Sequence, residues 1–393
     1  MLKHQNICII NEHQLRRDCG GVQTVGVILK EKFEQIGYNI CVFFTKQEDA
    51  IKENEYKLPN ILSIDSDANL NFITNKIKEH QISVIICLGY TNDLLCLCTK
   101  AKKITNNKLI YAYHRNPKAN IKEYDDYCEQ IIKKYNTWYS RSIINVILGL
   151  KRFTFNYKCK LQSKKEMQSY SIKDIDKFIT LNRDYTNYMK SFFPKKYHNK
   201  FLSISNPIEI TEYNGIHSKK KNILFLARQT YQKRLDRLFY VWEDIYRDFP
   251  EWSLTIVGSG EYLQEYKKIA KDLKLENVVF VGQQPAIEYY KNSSIICMTS
   301  SHEGQPMTLI ESQVFGCIPI AYKSFSSLND IIVHNYNGLL IKPFKKKEYT
   351  QSLKRLMNNE MLRKEFMVNG KEFVKKFDIN NIIVRWISIL NQL

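Results

Sequence analysis

The chain has 393 residues, of which 44% are hydrophobic and 25% charged, enough for two soluble globular domains of ordinary size, each with its own core. No run approaches the roughly 18 apolar residues of a membrane-spanning helix, and Ile7-Cys8-Ile9-Ile10 before polar Asn11-Glu12-His13 is too short for the core of a signal peptide. A net charge of +19 makes nucleic acid, an anionic membrane surface and an anionic substrate the candidate partners.

Residues 6–10 read as the first strand. A polar loop through Gly20-Gly21 leads to a helix over 22–36 closed by Gly37, and 38–44 is the next strand. This βαβ start has its glycines at the first strand-to-helix turn, where a doubly wound sheet places its ligands. It is not G-x-G-x-x-G, and a paired glycine also serves as a plain turn. A helix over 70–80, a strand over 84–88, a helix over 93–103 and a strand over 109–113 continue the alternation. His114 follows directly at that strand's carboxyl end, where an imidazole is either structural or able to hydrogen-bond a ligand hydroxyl without acting as a base.

Residues 138–173 depart from a compact α/β layout. Ile143, Ile144, Val146 and Leu148 alternate with Arg141, Lys151, Arg152 and Lys158, with Trp138, Tyr139, Phe153 and Tyr157 interleaved. Such a piece either lies in a membrane interface with its lysines toward anionic headgroups or packs as an amphipathic helix with a solvated edge. Strands over 176–181 and 201–205 then lead to Asn206-Pro207-Ile208-Glu209 and a polar linker over 211–221.

The second half restarts the alternation. A strand over 222–226 runs into Ala227-Arg228-Gln229-Thr230-Tyr231-Gln232-Lys233-Arg234. Arg supplies a planar fork of donors and Lys a mobile point charge, which together suit a leaving group whose negative charge is growing; a solvated basic turn is the bland alternative. A helix over 235–248, a strand over 253–257, Gly258-Ser259-Gly260, a further helix and a strand over 278–281 ending at Gly282-Gln283 follow. The strand over 294–299 then opens onto Ser300-Ser301-His302-Glu303-Gly304-Gln305-Pro306-Met307-Thr308-Leu309-Ile310-Glu311. Gly304-Gln305 reads as a tight turn and Pro306 as the first helical residue, where its missing N–H costs nothing. Unpaired N–H groups and the helix dipole make such a start a site for an anion such as phosphate. Glu303 and Glu311 flank it. The helix ends at Gly316, strands over 318–322 and 339–341 follow, and the chain closes on a helix striped by Ile382, Ile383, Trp386, Ile389 and Leu390.

Ten cysteines sit mostly in apolar runs, as Cys8, Cys41, Cys87, Cys297 and Cys317 do, and read as reduced thiols. Cys96 and Cys98 have no second pair or nearby His, so no metal site is expected.

Glu303 and Glu311, with seven residues between them, lie in a segment that resembles the E-x7-E stretch of the retaining family-4 glycosyltransferases, enzymes of the two-domain GT-B fold. The resemblance covers nearly the whole second half in order and the first half more loosely. It implies that Arg228 and Lys233 clamp the donor diphosphate, that Glu303 contacts the transferred sugar, and that Glu311 holds the ribose. It also implies that Gly304, Gln305, Pro306, Met307, Thr308 and Leu309 meet the sugar and diphosphate and that the loop at Gly282 meets the base. In the first half it gives His114 the place of a cleft histidine on the donor sugar and Gly20-Gly21 that of a glycine-rich turn near the donor or acceptor. The family usually has Gly before the Arg and after the Lys. Ala227 and Arg234 depart from that, and Arg234 is expected either to crowd the turn or to add a phosphate contact.

The resulting expectation is an α/β, GT-B chain with an acceptor-side domain over 1–210, on which 378–393 packs back, and a nucleotide-sugar domain over 211–377. Its partners would be a nucleotide-diphosphate sugar, most simply a UDP-sugar, and a glycan or lipid-linked acceptor of cell-surface polysaccharide or lipopolysaccharide synthesis. An anionic membrane touched through 138–173 is a further candidate, on the inner face of the membrane of a cytoplasmic protein. No metal, other cofactor or nucleic acid is expected. A nucleic-acid binder and a non-catalytic scaffold are the competing readings; both leave the Arg–Lys and Glu–Glu spacings unexplained.

Overall fold

The computed structural model describes residues 6–17, 20–89, 91–123, 126, 129, 172–210 and 219–393. They form two compact units. The first takes its described residues from the stretch before Lys118, from 172 to Glu209 and from Phe377 to Leu393; the second takes them from 118 to 129 and from 219 to Lys376.

In the first unit, β1 (Asn6–His13), β2 (Asn39–Lys46), β3 (Glu55–Lys57), β4 (Ile82–Cys87), β5 (Lys108–Tyr113), β6 (Lys177–Thr180) and β7 (Phe201–Ser203) pair in the order β3-β2-β1-β4-β5-β6-β7. Every pairing is parallel. Helices α1 (Gly21–Gln35), α2 (Asp67–Glu79), α3 (Asn92–Thr105) and α4 (Arg183–Lys190) connect or follow them. The strands are buried along their lengths because they are continuous apolar runs, the pattern of a parallel sheet covered on both faces. Cys8, Cys41 and Cys87 are free thiols inside this core.

The second unit repeats the plan. Strands β8 (Lys220–Leu226), β9 (Ser253–Val257), β10 (Val278–Gly282), β11 (Ser293–Met298), β12 (Ile318–Tyr322) and β13 (Leu339–Ile341) pair in the order β10-β9-β8-β11-β12-β13, again all parallel. Helices α5 (Leu235–Glu243), α6 (Leu263–Asp272), α7 (Ala286–Asn292), α8 (Met307–Val314), α9 (Leu328–Ile331), α10 (Lys346–Asn358) and α11 (Glu360–Phe373) accompany them. Trp242, Trp252, Tyr266 and Tyr349 anchor its core, and the buried Tyr349 hydroxyl donates to the Ile320 carbonyl at 2.9 Å. This is the doubly wound arrangement, twice, and it is the α/β GT-B plan expected from the sequence.

The last helix, α12 (Ile379–Leu390), belongs to the first unit. Ile382, Ile383, Trp386, Ile389 and Leu390 are all buried, and the Trp386 ring meets Phe33 of α1 edge-on at 6.3 Å. Arg385 donates to the Ser203 carbonyl at 2.6 Å, and Ile208 exchanges backbone hydrogen bonds of 2.9 Å with Phe377 and Ile379. The apolar stripe therefore docks on the first unit, as its pattern implied.

Several boundaries differ from expectation. The first strand continues through Asn11, Glu12 and His13 because its buried polar side chains are hydrogen-bonded, Asn11 to the His13 carbonyl and Glu12 by the Thr91 N–H. The helix expected over 235–248 ends at Glu243, with turns beyond it. Residues 118–123, 126 and 129 group with the second unit rather than with a domain over 1–210, for the reason given by the ion cluster below. The basic aromatic segment lies outside the described residues except for Ile172 and Lys173. Among the described residues, no helix is long and apolar enough to cross a membrane.

Trp386→Ala should empty a large buried site and cost the first unit about 3–5 kcal/mol. Equilibrium urea unfolding followed by hydrogen exchange in α1 and β1 measures this, and an unchanged midpoint there would mean that α12 adds nothing to that core.

Candidate functional site

Strands β8 and β11 are neighbours, with Ile223 opposite Ile295 and Leu224 opposite Ile296, yet the sheet order runs outward in opposite directions from them. Their carboxyl ends thus open the crevice where a doubly wound sheet binds ligands. The turn at 227–234 leaves β8 there, and the loop at 299–306 leaves β11 beside it.

Backbone and side-chain bonds lock the two together. The Ser301 N–H donates to the Gln232 carbonyl at 2.9 Å, Gln232 Nε2 to the His302 carbonyl at 2.5 Å, and the Thr299 hydroxyl to the Arg234 carbonyl at 2.8 Å. The consequence is a direct contact between two residues singled out by sequence. Lys233 Nζ lies 2.5 Å from Glu303 Oε1, with side chains only 19% and 12% exposed. Arg228, five positions earlier, is exposed, and its guanidinium has no side-chain partner among the described residues.

Two glycines after β9 hold this corner in place. Gly258 and Gly260 have φ of 121° and 157°, and a Cβ on them would stand 2.1 Å from the Ala227 carbonyl oxygen and 2.4 Å from that of Gln229. Only glycine lets the loop after β9 approach so closely. The Gln229 N–H donates to the Ser259 carbonyl at 2.8 Å and the Tyr262 N–H to the Gln229 carbonyl at 2.9 Å, so the residue after Arg228 is held on both sides. Gly282 joins the same corner, its carbonyl accepting from the Gly258 N–H at 2.6 Å; its φ is 73°, and a Cβ there would meet open space.

Arg234 neither crowds the turn nor reaches toward a phosphate. Its φ of 53° is the left-handed conformation that a glycine adopts freely, which explains why a glycine is usual there. Its side chain is fully buried. The guanidinium makes two bonds to Glu129, at 2.5 and 2.6 Å, and two to Asp236, at 3.0 and 3.1 Å; Asp126 stands 3.5 Å away. Asp126 also accepts from the Ser301 hydroxyl, and burial pushes its carboxyl above the ordinary range. Arg237 adds a bond to Glu129 at 3.0 Å. This cluster is why residues 118–129 group with the second unit. No sequence signal marks Asp126 or Glu129, since their partner lies more than a hundred positions away.

Pro306 is the residue before α8 rather than its first, with φ −74° and ψ 97°. The helix therefore starts at Met307, and the N–H groups of Met307 and Thr308 stand in its open first turn. Met307 and Leu309 bury their side chains, so only their backbone could meet a ligand; Gly304 and Thr308 are partly exposed, and Gln305 is buried. Glu311 lies one turn on, where its Oε2 accepts from the Tyr290 hydroxyl at 3.0 Å.

The remaining candidates belong to the first unit. Gly20, with φ 137°, caps α1 and Gly21 begins it. His114 Nδ1 is 2.8 Å from Asn206 Oδ1, which assigns the ring proton to Nδ1, and Nε2 is shielded without a hydrogen-bond partner among the described residues. His114 lines a small cavity together with Trp386, Thr180 and Asn206. Burial pushes its pKa down to about 4, against the opposing effect of the hydrogen bond it donates to Asn206, so it is neutral near pH 7.

Residues 208–373 match the family described as glycosyl transferases group 1. An uncharacterized glycosyltransferase of Haemophilus influenzae is 31% identical over 219 residues, covering 55% of this chain and 61% of that protein. The amylovoran biosynthesis glycosyltransferase AmsD of Erwinia amylovora is 30% identical over 222 residues, covering 55% of this chain and 62% of its own. The chain thus matches about three fifths of the length of these curated relatives. Among solved structures, Anabaena HepE in complex with UDP and glucose superposes with a TM-score of 0.72 at 12% identity, over 99% of this chain and 100% of that one.

Two outcomes follow from the geometry. Arg234→Gly relieves the left-handed backbone but strands three carboxylates, so it should destabilise the second unit by about 3–5 kcal/mol, and Arg234→Lys should not restore both paired forks; urea unfolding measures both, and a neutral Arg234→Gly would refute the cluster's role. The unfolded chain protonates His114 below about pH 6.5, whereas the folded chain resists until about pH 4. Folding stability should therefore fall as pH drops through that window and lose nothing more from this group below it. His114→Gln should flatten that limb in unfolding curves taken at pH 7 and pH 4.5.

Proposed function

We propose, from the match of residues 208–373 to the glycosyl transferases of group 1, that the chain moves a sugar, with retained anomeric configuration, from a nucleotide-diphosphate sugar to a glycan or lipid-linked acceptor. The contact of Lys233 with Glu303, at the crevice between β8 and β11, carries this reading. It puts a cation for the phosphates beside a carboxylate for the sugar. The UDP and glucose bound to the Anabaena protein favour a UDP-sugar as donor, and the amylovoran relative favours polysaccharide synthesis as the setting.

In the reaction, the bond from the anomeric carbon to the β-phosphate oxygen breaks and its electron pair leaves with the diphosphate. Arg228, Lys233 and the N–H groups at the start of α8 stabilise that charge, the task a metal performs in other sugar transferases. The acceptor oxygen bonds to the anomeric carbon on the same face, and its proton passes to the departing phosphate oxygen. No protein nucleophile is required. Glu303 accepts hydrogen bonds from the sugar hydroxyls and Glu311 from the ribose. Glu303 arrives already paired with Lys233, so the carboxylate is held close to a dianion without uncompensated repulsion.

Lys233→Ala should lower kcat/KM by about 100-fold or more. Radiolabelled transfer from UDP-, GDP- and ADP-sugars, run with EDTA present, provides the measurement. Undiminished transfer by the variant would overturn the assignment, and transfer abolished by EDTA in the wild type would overturn the metal-free chemistry.

A further inference from the structure

Glu311 does not stand alone on α8. Its Oε2 receives the hydroxyl of Tyr290, which lies on α7, is 1% exposed and stacks its ring on Phe315 with centroids 6.0 Å apart and planes 15° from parallel. Phe315 is the residue that ends α8, so the ring of Tyr290 and the helix that carries Glu311 are packed as one body. A half-buried lysine secures the same place. Lys219 Nζ donates to the carbonyls of Tyr290, Lys291 and Phe315 at 2.7, 2.8 and 2.6 Å, closing the carboxyl-terminal ends of α7 and α8 together. Burial, with Glu311 beside it, pushes the Tyr290 phenol well above its ordinary value, so it remains a donor at any working pH.

A buried tyrosine that only filled space would need no hydroxyl; phenylalanine would pack the same ring. Here the hydroxyl is spent on one oxygen of one carboxylate, in an assembly with no freedom to turn away. A carboxylate on a three-torsion side chain loses orientational freedom when it binds a diol, and a fixed donor on one oxygen removes much of that loss beforehand.

We propose that Tyr290 is the positioning residue of Glu311, setting the carboxylate to receive the vicinal hydroxyls of the donor's ribose and so letting the site distinguish ribonucleotides from deoxyribonucleotides. The inference rests on the assignment of Glu311 to the ribose made above. It adds a residue on a different helix and a selectivity that follows from it. Tyr290 acts on affinity through Glu311 and touches neither the sugar nor the phosphates.

The test is isothermal titration of the full chain, as wild type, Tyr290→Phe and Glu311→Gln, with UDP, GDP and ADP and their 2′-deoxy counterparts, using the ribonucleotide bound most tightly. Tyr290→Phe should weaken that ribonucleotide about fivefold to tenfold, leave the deoxy form within about twofold, and keep the thermal midpoint close to wild type. Equal weakening of both forms, or an unchanged preference for ribose, overturns the proposal. Loss of the preference in Glu311→Gln together with its persistence in Tyr290→Phe overturns the role of Tyr290 alone. An unaltered preference in Glu311→Gln, or a wild type that binds none of the diphosphates, overturns the reading of Glu311 itself and this inference with it.

Discussion

The contact between Lys233 and Glu303 depends on a single topological fact. Strands β8 and β11 hydrogen-bond to each other although two strands and their helices intervene in sequence, because β9 and β10 lie on the far side of β8. The sheet then has to restart on the other edge of β8, and the two loops that leave β8 and β11 have no strand connection between them to fill the gap. A parallel sheet with right-handed crossovers creates this opening whatever its side chains are. The sequence's contribution is to furnish it with a lysine from one side and a glutamate from the other, and to tie the loops by Ser301, Gln232 and Thr299 so that the pair is set at 2.5 Å.

Arg234 shows how a departure from a local rule is compensated at longer range. A non-glycine residue in the left-handed region costs about 1–2 kcal/mol, and burying its guanidinium would cost several more if it were unpaired. Both forks of the guanidinium are occupied, by Glu129 and by Asp236, and Asp126 beside them accepts from Ser301 in the loop that carries Glu303. A residue that looks misplaced in its own turn thus connects three segments, one of them from the first half of the chain. Buried charge clusters often gain nothing in stability over apolar packing, so geometry rather than stability is the more economical account of why this one sits directly behind the Lys233 turn.

What could be read from sequence follows the same division between local and distant causes. Parallel strands are buried on both faces and appear as apolar runs, so β12 and β13 were located to the residue and the polar residues at strand carboxyl ends stood out as candidates. The spacings of Arg228 to Lys233 and of Glu303 to Glu311 are legible because each falls within one short stretch of chain, a turn in the first case and a loop running into a helix in the second. Asp126, Glu129, Tyr290 and the close approach of Gly258 and Gly260 are not, because each acts on a residue brought near only by the sheet. Pro306 was misjudged by one position, since a proline serves equally well before a helix and in its first turn, and only the backbone angles separate the two.

The charge at the site bears on how it would attract a diphosphate. Lys233 is offset by Glu303, and Glu311 is a second anion, so the net positive charge of the chain is not concentrated in this crevice. Arg228 is the cation there whose charge no described side chain offsets, and it is exposed. A polyanion binder needs a broad field of unpaired cations and loses affinity steeply with salt. A crevice with paired charges, one unpaired arginine and the open end of a helix attracts at short range instead, where the dipole and hydrogen-bond geometry count and screening counts less. On the function proposed above, such a site suits a compact diphosphate with groups to contact on either side.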